Sequence, residues 1–177
     1  MPRFRYSEEP QDVVASVSSS TASGVQLPVF TLYGDGTAIA ITDDGWVTGV
    51  ISSLTIQDYL AEAESVGLLD GPLTLRRPDA DGGPDIEAEF NVDGDAIAHK
   101  IDVVRVDESS GLWAFLLRSA TRNPFALDAP FKPAAWVGCD ATGCVVAAEP
   151  VAGDERPVLP HEDAEQVLAE AERQRTS

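Results

Sequence analysis

The order of patterned segments predicts an α+β fold: a mostly antiparallel sheet built from hairpins, with two or three helices packed on one face. Three observations carry it. Asp35-Gly36 and Asp93-Gly94 each sit between runs of strand character, the strongest short-range hairpin signal a sequence offers. Between them lies a helix pattern opening at Thr55, with Ile56, Tyr59, Leu60 and Ala63 on one face. The segments also do not alternate strand and helix as parallel βαβ units require.

Taken in order, residues 1–11 read as a disordered arm, because they are polar and punctuated by proline. Asp12 to Ser18 alternates enough for a strand, and the Ser, Thr and Gly run to Gly24 reads as a loop. Val29 to Tyr33 and Thr37 to Ile41 flank the first Asp-Gly turn. Trp46 to Ser52 forms a further strand after a turn at Thr42 to Gly45. The helix from Thr55 carries Asp58 three residues later as a capping-box-like acid, and Gly67 followed by Leu68 ends it. Leu73 to Leu75 suits a short strand, and residues 77–84 a loop. Ile86 to Val92 alternates apolar and acidic residues, and Ala96 to Val106 returns beside it. A second helix starts at Ser109 or Ser110, runs through Trp113 and Leu117, and stops before Asn123-Pro124. A proline-punctuated connector then leads to a hairpin whose strands, Ala134 to Val137 and Val145 to Ala148, bracket Cys139 and Cys144. Residues 12–148 therefore form one α+β domain, 149–160 a linker, and 161–177 a C-terminal helix with a thin apolar stripe at Ala164, Val167, Leu168 and Ala171.

Charge bounds the partners. The 177 residues hold 30 acids and 12 bases, a net charge of −18, while the hydrophobic fraction of 44% is that of a folding chain. Residues 6 to 75 contain no Lys or Arg. Such a surface repels nucleic-acid phosphates and anionic lipid, and favours a basic protein. No apolar run is long enough to span a membrane and the first ten residues carry no apolar leader core, so the chain as given reads as cytoplasmic; removal of a leader would instead make it secreted or part of the cell envelope.

Leu27-Pro28-Val29-Phe30-Thr31-Leu32-Tyr33-Gly34-Asp35-Gly36, followed by Leu54-Thr55 and a helix ending Val66-Gly67-Leu68-Leu69, resembles uncharacterised actinobacterial proteins, many of them predicted lipoproteins or secreted proteins. The likeness extends loosely through the second hairpin and the connector Pro130 to Val137. It implies the same element order and brings no catalytic residue. Against that likeness, the residues given are expected to hold neither the leader nor the lipid-attachment cysteine of the exported members.

No motif points to chemistry. Asp79, Asp81, Asp85, Glu87 and Glu89 offer oxygen ligands at alternating positions, but Gly83-Pro84 and Phe90 break the EF-hand pattern. Asp43-Asp44 and Glu87/Glu89 are carboxylate pairs with nothing apolar around them to shift one pKa. His99, between Ile97 and Ile101, reads as a half-buried strand residue, and His161 as a cap or exposed residue. Glycine-rich phosphate loops and a nucleophile elbow are absent, so no cofactor and no metal are expected. Cys139 and Cys144 stand where a hairpin opposes them, which suits a disulfide in an oxidising compartment and two small thiols in a reducing one. The expected function is non-catalytic: an acidic protein-interaction domain, inhibitor or immunity-like, or an envelope accessory domain with the Cys139-Cys144 bridge. Its expected surface is Asp35, Asp43, Asp44 and Trp46, acids to steer a basic protein and an aromatic to anchor it. A carboxylate-using or cation-dependent enzyme is the rival class.

Overall fold

A computed structural model describes residues 2–10, 12–20, 26–42, 45–78, 82–121, 123–130, 136–140 and 143–147. The expected α+β class is the one formed. Its main sheet has eight strands in the order β5-β7-β6-β1-β2-β3-β4-β8. These are β1 (Val13–Ser20), β2 (Gln26–Tyr33), β3 (Thr37–Thr42), β4 (Gly45–Val50), β5 (Thr74–Leu75), β6 (Ile86–Val92), β7 (Asp95–Ile101) and β8 (Ala129–Pro130). All neighbours are antiparallel except β5 and β7. Two helices, α1 (Ser53–Ser65) and α2 (Gly111–Thr121), cover one face, and β9 (Trp136–Asp140) pairs with β10 (Gly143–Ala147) as a separate ribbon. The helix expected over 162–173 lies outside the described residues.

The turns follow their residues. Val92 opposes Asp95, so Asp93 (φ 55°) and Gly94 (φ 91°) form a two-residue turn with both centres in the left-handed region, which Asp-Gly tolerates. At the first hairpin the Gly36 amide donates to the Tyr33 carbonyl at 3.0 Å, and Asp35 Oδ1 accepts from the Thr37 amide at 2.9 Å.

Register gives the sheet two faces. Val17 opposes Phe30 and Ala88, and Phe30 opposes Ala40. This set, with Ala15, Leu32, Ala38 and Phe90, joins Ile56, Tyr59 and Leu60 of α1 and Phe115 and Leu116 of α2 in the core. On the other face Ser16, Ser18, Glu87, Glu89 and Lys100 occupy the alternating positions, while Thr31 and Ile39 are buried there.

Three boundaries differ from expectation. Helix α1 starts earlier: Ser52 is its N-cap, accepting from the Thr55 amide at 3.2 Å, which places Thr55 inside the first turn. Gly67 (φ 84°) ends it, and Leu68 is fully buried with its amide bonded to the Ala63 carbonyl, as the glycine stop requires. Strand β1 runs on through Ser18–Ser20, because its backbone is claimed on both sides by β2 and β6. The return strand stops at Ile101, and a 3-10 turn at Val103–Arg105 follows.

The arm expected to be disordered is instead tied down over residues 2–10. Phe4 is a core residue with 4% of its surface exposed. Gln57 of α1 clamps it from both sides: its Oε1 accepts from the Phe4 amide at 2.8 Å and its Nε2 donates to the Phe4 carbonyl at 2.8 Å. Arg3 pairs with Glu64, and the Asp93 amide donates to the Arg5 carbonyl at 2.6 Å. Further along, Ser7 and Glu9 pass so close over Gly34 that any Cβ there would strike their carbonyls. Burial of one aromatic and a set of backbone hydrogen bonds outweighs the entropy a polar arm would retain.

Candidate interaction surface

Of the four residues expected to form one surface, the strands place Asp35 and Trp46 towards opposite ends of β3. Asp35 precedes β3 and Trp46 is in the strand that follows it, opposite Ile41 near the far end of β3. Six extended residues separate the two ends by about 17–20 Å. Asp43 and Asp44 lie outside the described residues, between Thr42 and Gly45, the last pair of that hairpin.

What Asp35 does adjoin is the junction of β4 and α1. The Ile51 amide donates to the Gly36 carbonyl at 2.9 Å, and Val50 Cγ1 lies 3.6 Å from where a Gly36 Cβ would stand. Val50 is 75% exposed and Leu54, at the start of α1, is 70% exposed, the two largest exposures among the described large hydrophobic residues. Asp58 is also exposed and lies one turn along α1 from Leu54, on the same face. The helical period that turns Ile56, Tyr59, Leu60 and Ala63 inward turns Leu54 and Asp58 outward. The result is two exposed apolar side chains at the β4-to-α1 junction, with an exposed acid one turn along the helix. The sequence signal was present: once Ser52 is taken as the cap, Leu54 falls off the buried stripe.

The other candidate residues have structural partners. His99 is 1% exposed. Its Nδ1 accepts from the Leu73 amide at 3.1 Å and its Nε2 meets the Leu68 carbonyl at 2.9 Å, which assigns the neutral Nε2–H tautomer. Burial lowers its pKa, and the Leu68 bond opposes that shift without cancelling it. Asp85 Oδ2 accepts from the Val103 amide at 2.8 Å; Asp79 and Asp81 lie outside the described residues. Glu87 and Glu89 occupy alternating positions on the strand face away from the core, as solvated acids do. Among the described residues no three His, Cys, Asp or Glu side chains group closely enough to hold a metal ion, and no helix is long and apolar enough to cross a membrane.

One charged cluster escaped the sequence reading. Asp102, fully buried after β7, accepts from the Arg77 amide at 2.7 Å and pairs with Arg76 at 3.1 Å and Arg77 at 3.4 Å, just beyond β5. The Arg77 amide chiefly, with help from the Arg76 guanidinium, holds its pKa below the usual carboxylate value although burial acts the other way. Its role is to lock the parallel edge strand. Nothing local signals it, because its partners come from a different strand 25 residues away.

The cysteines fall on the separate ribbon. β9 and β10 pair from Gly143↔Asp140 outward, so two residues connect them, and Cys139 stands directly opposite Cys144.

No protein-family model, curated protein or solved structure matches this chain. The fold defines it as an α+β protein, with exposed Val50 and Leu54 at a strand-to-helix junction.

Proposed function

We propose that this protein is a non-catalytic protein-interaction domain, inhibitor or immunity-like, that meets a basic partner through Asp35, Val50, Leu54 and Asp58. The observation that carries the reading is the exposure of Val50 and Leu54, four residues apart across the β4-to-α1 junction, with Asp58 exposed one turn from Leu54, in a chain of net charge −18. The long-range field speeds encounter with a basic surface, and the apolar pair supplies the dry contact that holds it. Asp43, Asp44 and Trp46, adjacent in sequence, would add a second contact region on a partner wide enough to reach both.

Retention of host proteins on the immobilised domain tests this. A basic protein should be held at ~50 mM salt and released at ~500 mM, where screening shortens the reach of the charges. With that protein purified, Leu54→Ser and Asp58→Lys should each weaken binding about tenfold while leaving the melting temperature within a degree or so, since both sites are exposed. Retention that ignores salt, or variants that bind as well as the parent, would sink the proposal.

A second reading, an exported accessory domain of the cell envelope, is favoured by the cysteine register. In a hairpin with a two-residue connection the last pair is hydrogen-bonded, so the next pair, Cys139 and Cys144, is a non-hydrogen-bonded one. Such pairs hold their Cα atoms about 4.5 Å apart, within the disulfide range. A two-stranded ribbon is marginal alone, and a bridge across this short loop adds about 2 kcal/mol. The resemblance to exported proteins points the same way. Alkylation of host-derived protein before and after reduction should then show two thiols protected until reductant is added; two thiols alkylated from the start would exclude the bridge.

A further inference from the structure

Between α2 and one end of the sheet lies a cleft of about 190 Å³. It is lined by Ile86, Ile101, Val103, Trp113, Leu116 and Leu117, with Ser19 and Asp85 among its polar residues. The cleft is partly open to solvent, and its space is of the order that one aromatic ring occupies. The cleft is also built to keep its shape. Ile101 and Leu116 are almost fully buried, the Ser20 amide donates to the Asp85 carbonyl at 2.8 Å, and the Val103 amide fixes Asp85 Oδ2 at 2.8 Å. Asp85 belongs to no ion pair among the described residues, although the nearby Asp102 is held by two arginines.

We propose that this cleft is a ligand site for a small amphipathic amine, with an apolar body about the size of a benzyl group seated against Trp113 and Leu117 and an ammonium head on Asp85. The apolar walls supply affinity without direction, and the carboxylate supplies orientation and sign. A carboxylate ligand is rejected twice, by Asp85 at close range and by the net charge of −18 at long range. A neutral alcohol of the same shape fits but leaves the charge uncompensated. The site is separate from the Asp35, Val50, Leu54 and Asp58 surface, and its test does not depend on that reading.

Benzylamine is the probe, with benzyl alcohol, benzoate and ammonium chloride as comparisons, read by thermal unfolding and by Trp113 fluorescence in a chain whose Trp46 and Trp136 are replaced by Phe. Eight heavy atoms at ordinary ligand efficiency give Kd in the millimolar range. At about tenfold over Kd benzylamine should raise the melting temperature by a few degrees. Benzyl alcohol should bind more weakly, and benzoate and ammonium chloride should produce neither the shift nor the fluorescence change. Asp85→Asn keeps an acceptor for the Val103 amide, so it should fold; it should cost benzylamine about tenfold in affinity and leave benzyl alcohol unchanged. Ala120→Leu, which narrows the cleft, should weaken both. A shift by ammonium chloride equal to that of benzylamine would mean general charge neutralisation and overturn the site. So would benzyl alcohol binding as tightly as the amine, or no response to benzylamine at all.

Discussion

Tyr59→Ala should destabilise the protein by about 3–5 kcal/mol in urea unfolding, the range for deleting a buried aromatic. The ring is the hub of the core: its centroid lies 5.0 Å from Phe115, 5.2 Å from Phe125, 5.7 Å from Phe30 and 6.5 Å from Phe90. Those four come from α2, the segment after it, β2 and β6, so one residue of α1 joins both helices to the sheet. Its hydroxyl is 3.0 Å from Ser119 Oγ within the core, and burial raises its pKa far enough to keep it a neutral phenol at any working pH. Tyr59→Phe keeps the ring and leaves Ser119 without that partner, and should cost about 1–2 kcal/mol. The gap between the two variants measures how much of the hub is packing. Equal losses would mean that the buried hydroxyl pair, and not the aromatic cluster, joins α1 to α2.

The elements legible in the sequence are those whose signal is local. Asp93-Gly94 names its own turn type, and the Ile56, Tyr59, Leu60, Ala63 stripe names the buried face of α1 before any partner is known. His99 was placed correctly among apolar residues, but its two backbone partners, Leu68 and Leu73, come from the loop after α1 and could not be foreseen. The arm was misread for the opposite reason. Its charges and proline were weighed, while Phe4 and Tyr6, the apolar residues that let it dock, were not. Ser18–Ser20 failed similarly, since serine disfavours a strand only where neighbouring strands do not claim its backbone. Of the residues in the proposed surface, Asp35 stood out in the sequence as a turn acid, but the exposure of Val50 and Leu54 depends on how β4 hands over to α1, which the choice of Thr55 as cap obscured.

His99→Leu should cost about 2–4 kcal/mol at pH 7.5, because it leaves the Leu73 amide and the Leu68 carbonyl unpartnered in the interior. His99→Gln offers an acceptor and a donor on a flexible stem and should recover part of the loss. The cost should also depend on pH. The folded histidine has its pKa lowered below the ordinary value of 6.5, chiefly by burial, so between the two values the unfolded chain takes up a proton that the folded chain refuses. The stabilisation His99 provides is therefore complete above about pH 6.5, shrinks as the pH falls below that, and is gone once the pH has passed through the lower folded value. Leucine has no such dependence. The difference in unfolding free energy between parent and His99→Leu should accordingly narrow from pH 7.5 to pH 5. That window lies above the range in which the depressed carboxyl of Asp102 takes up its proton, so the two groups separate cleanly. Subtracting one protein from the other also removes the relief of self-repulsion that acid brings to any chain of net charge −18. A difference that stays constant across the window would mean that His99 takes up its proton at the same pH in the folded and unfolded chain, and one that widens towards pH 5 would mean that the fold favours the protonated ring and that Nδ1 does not accept from Leu73.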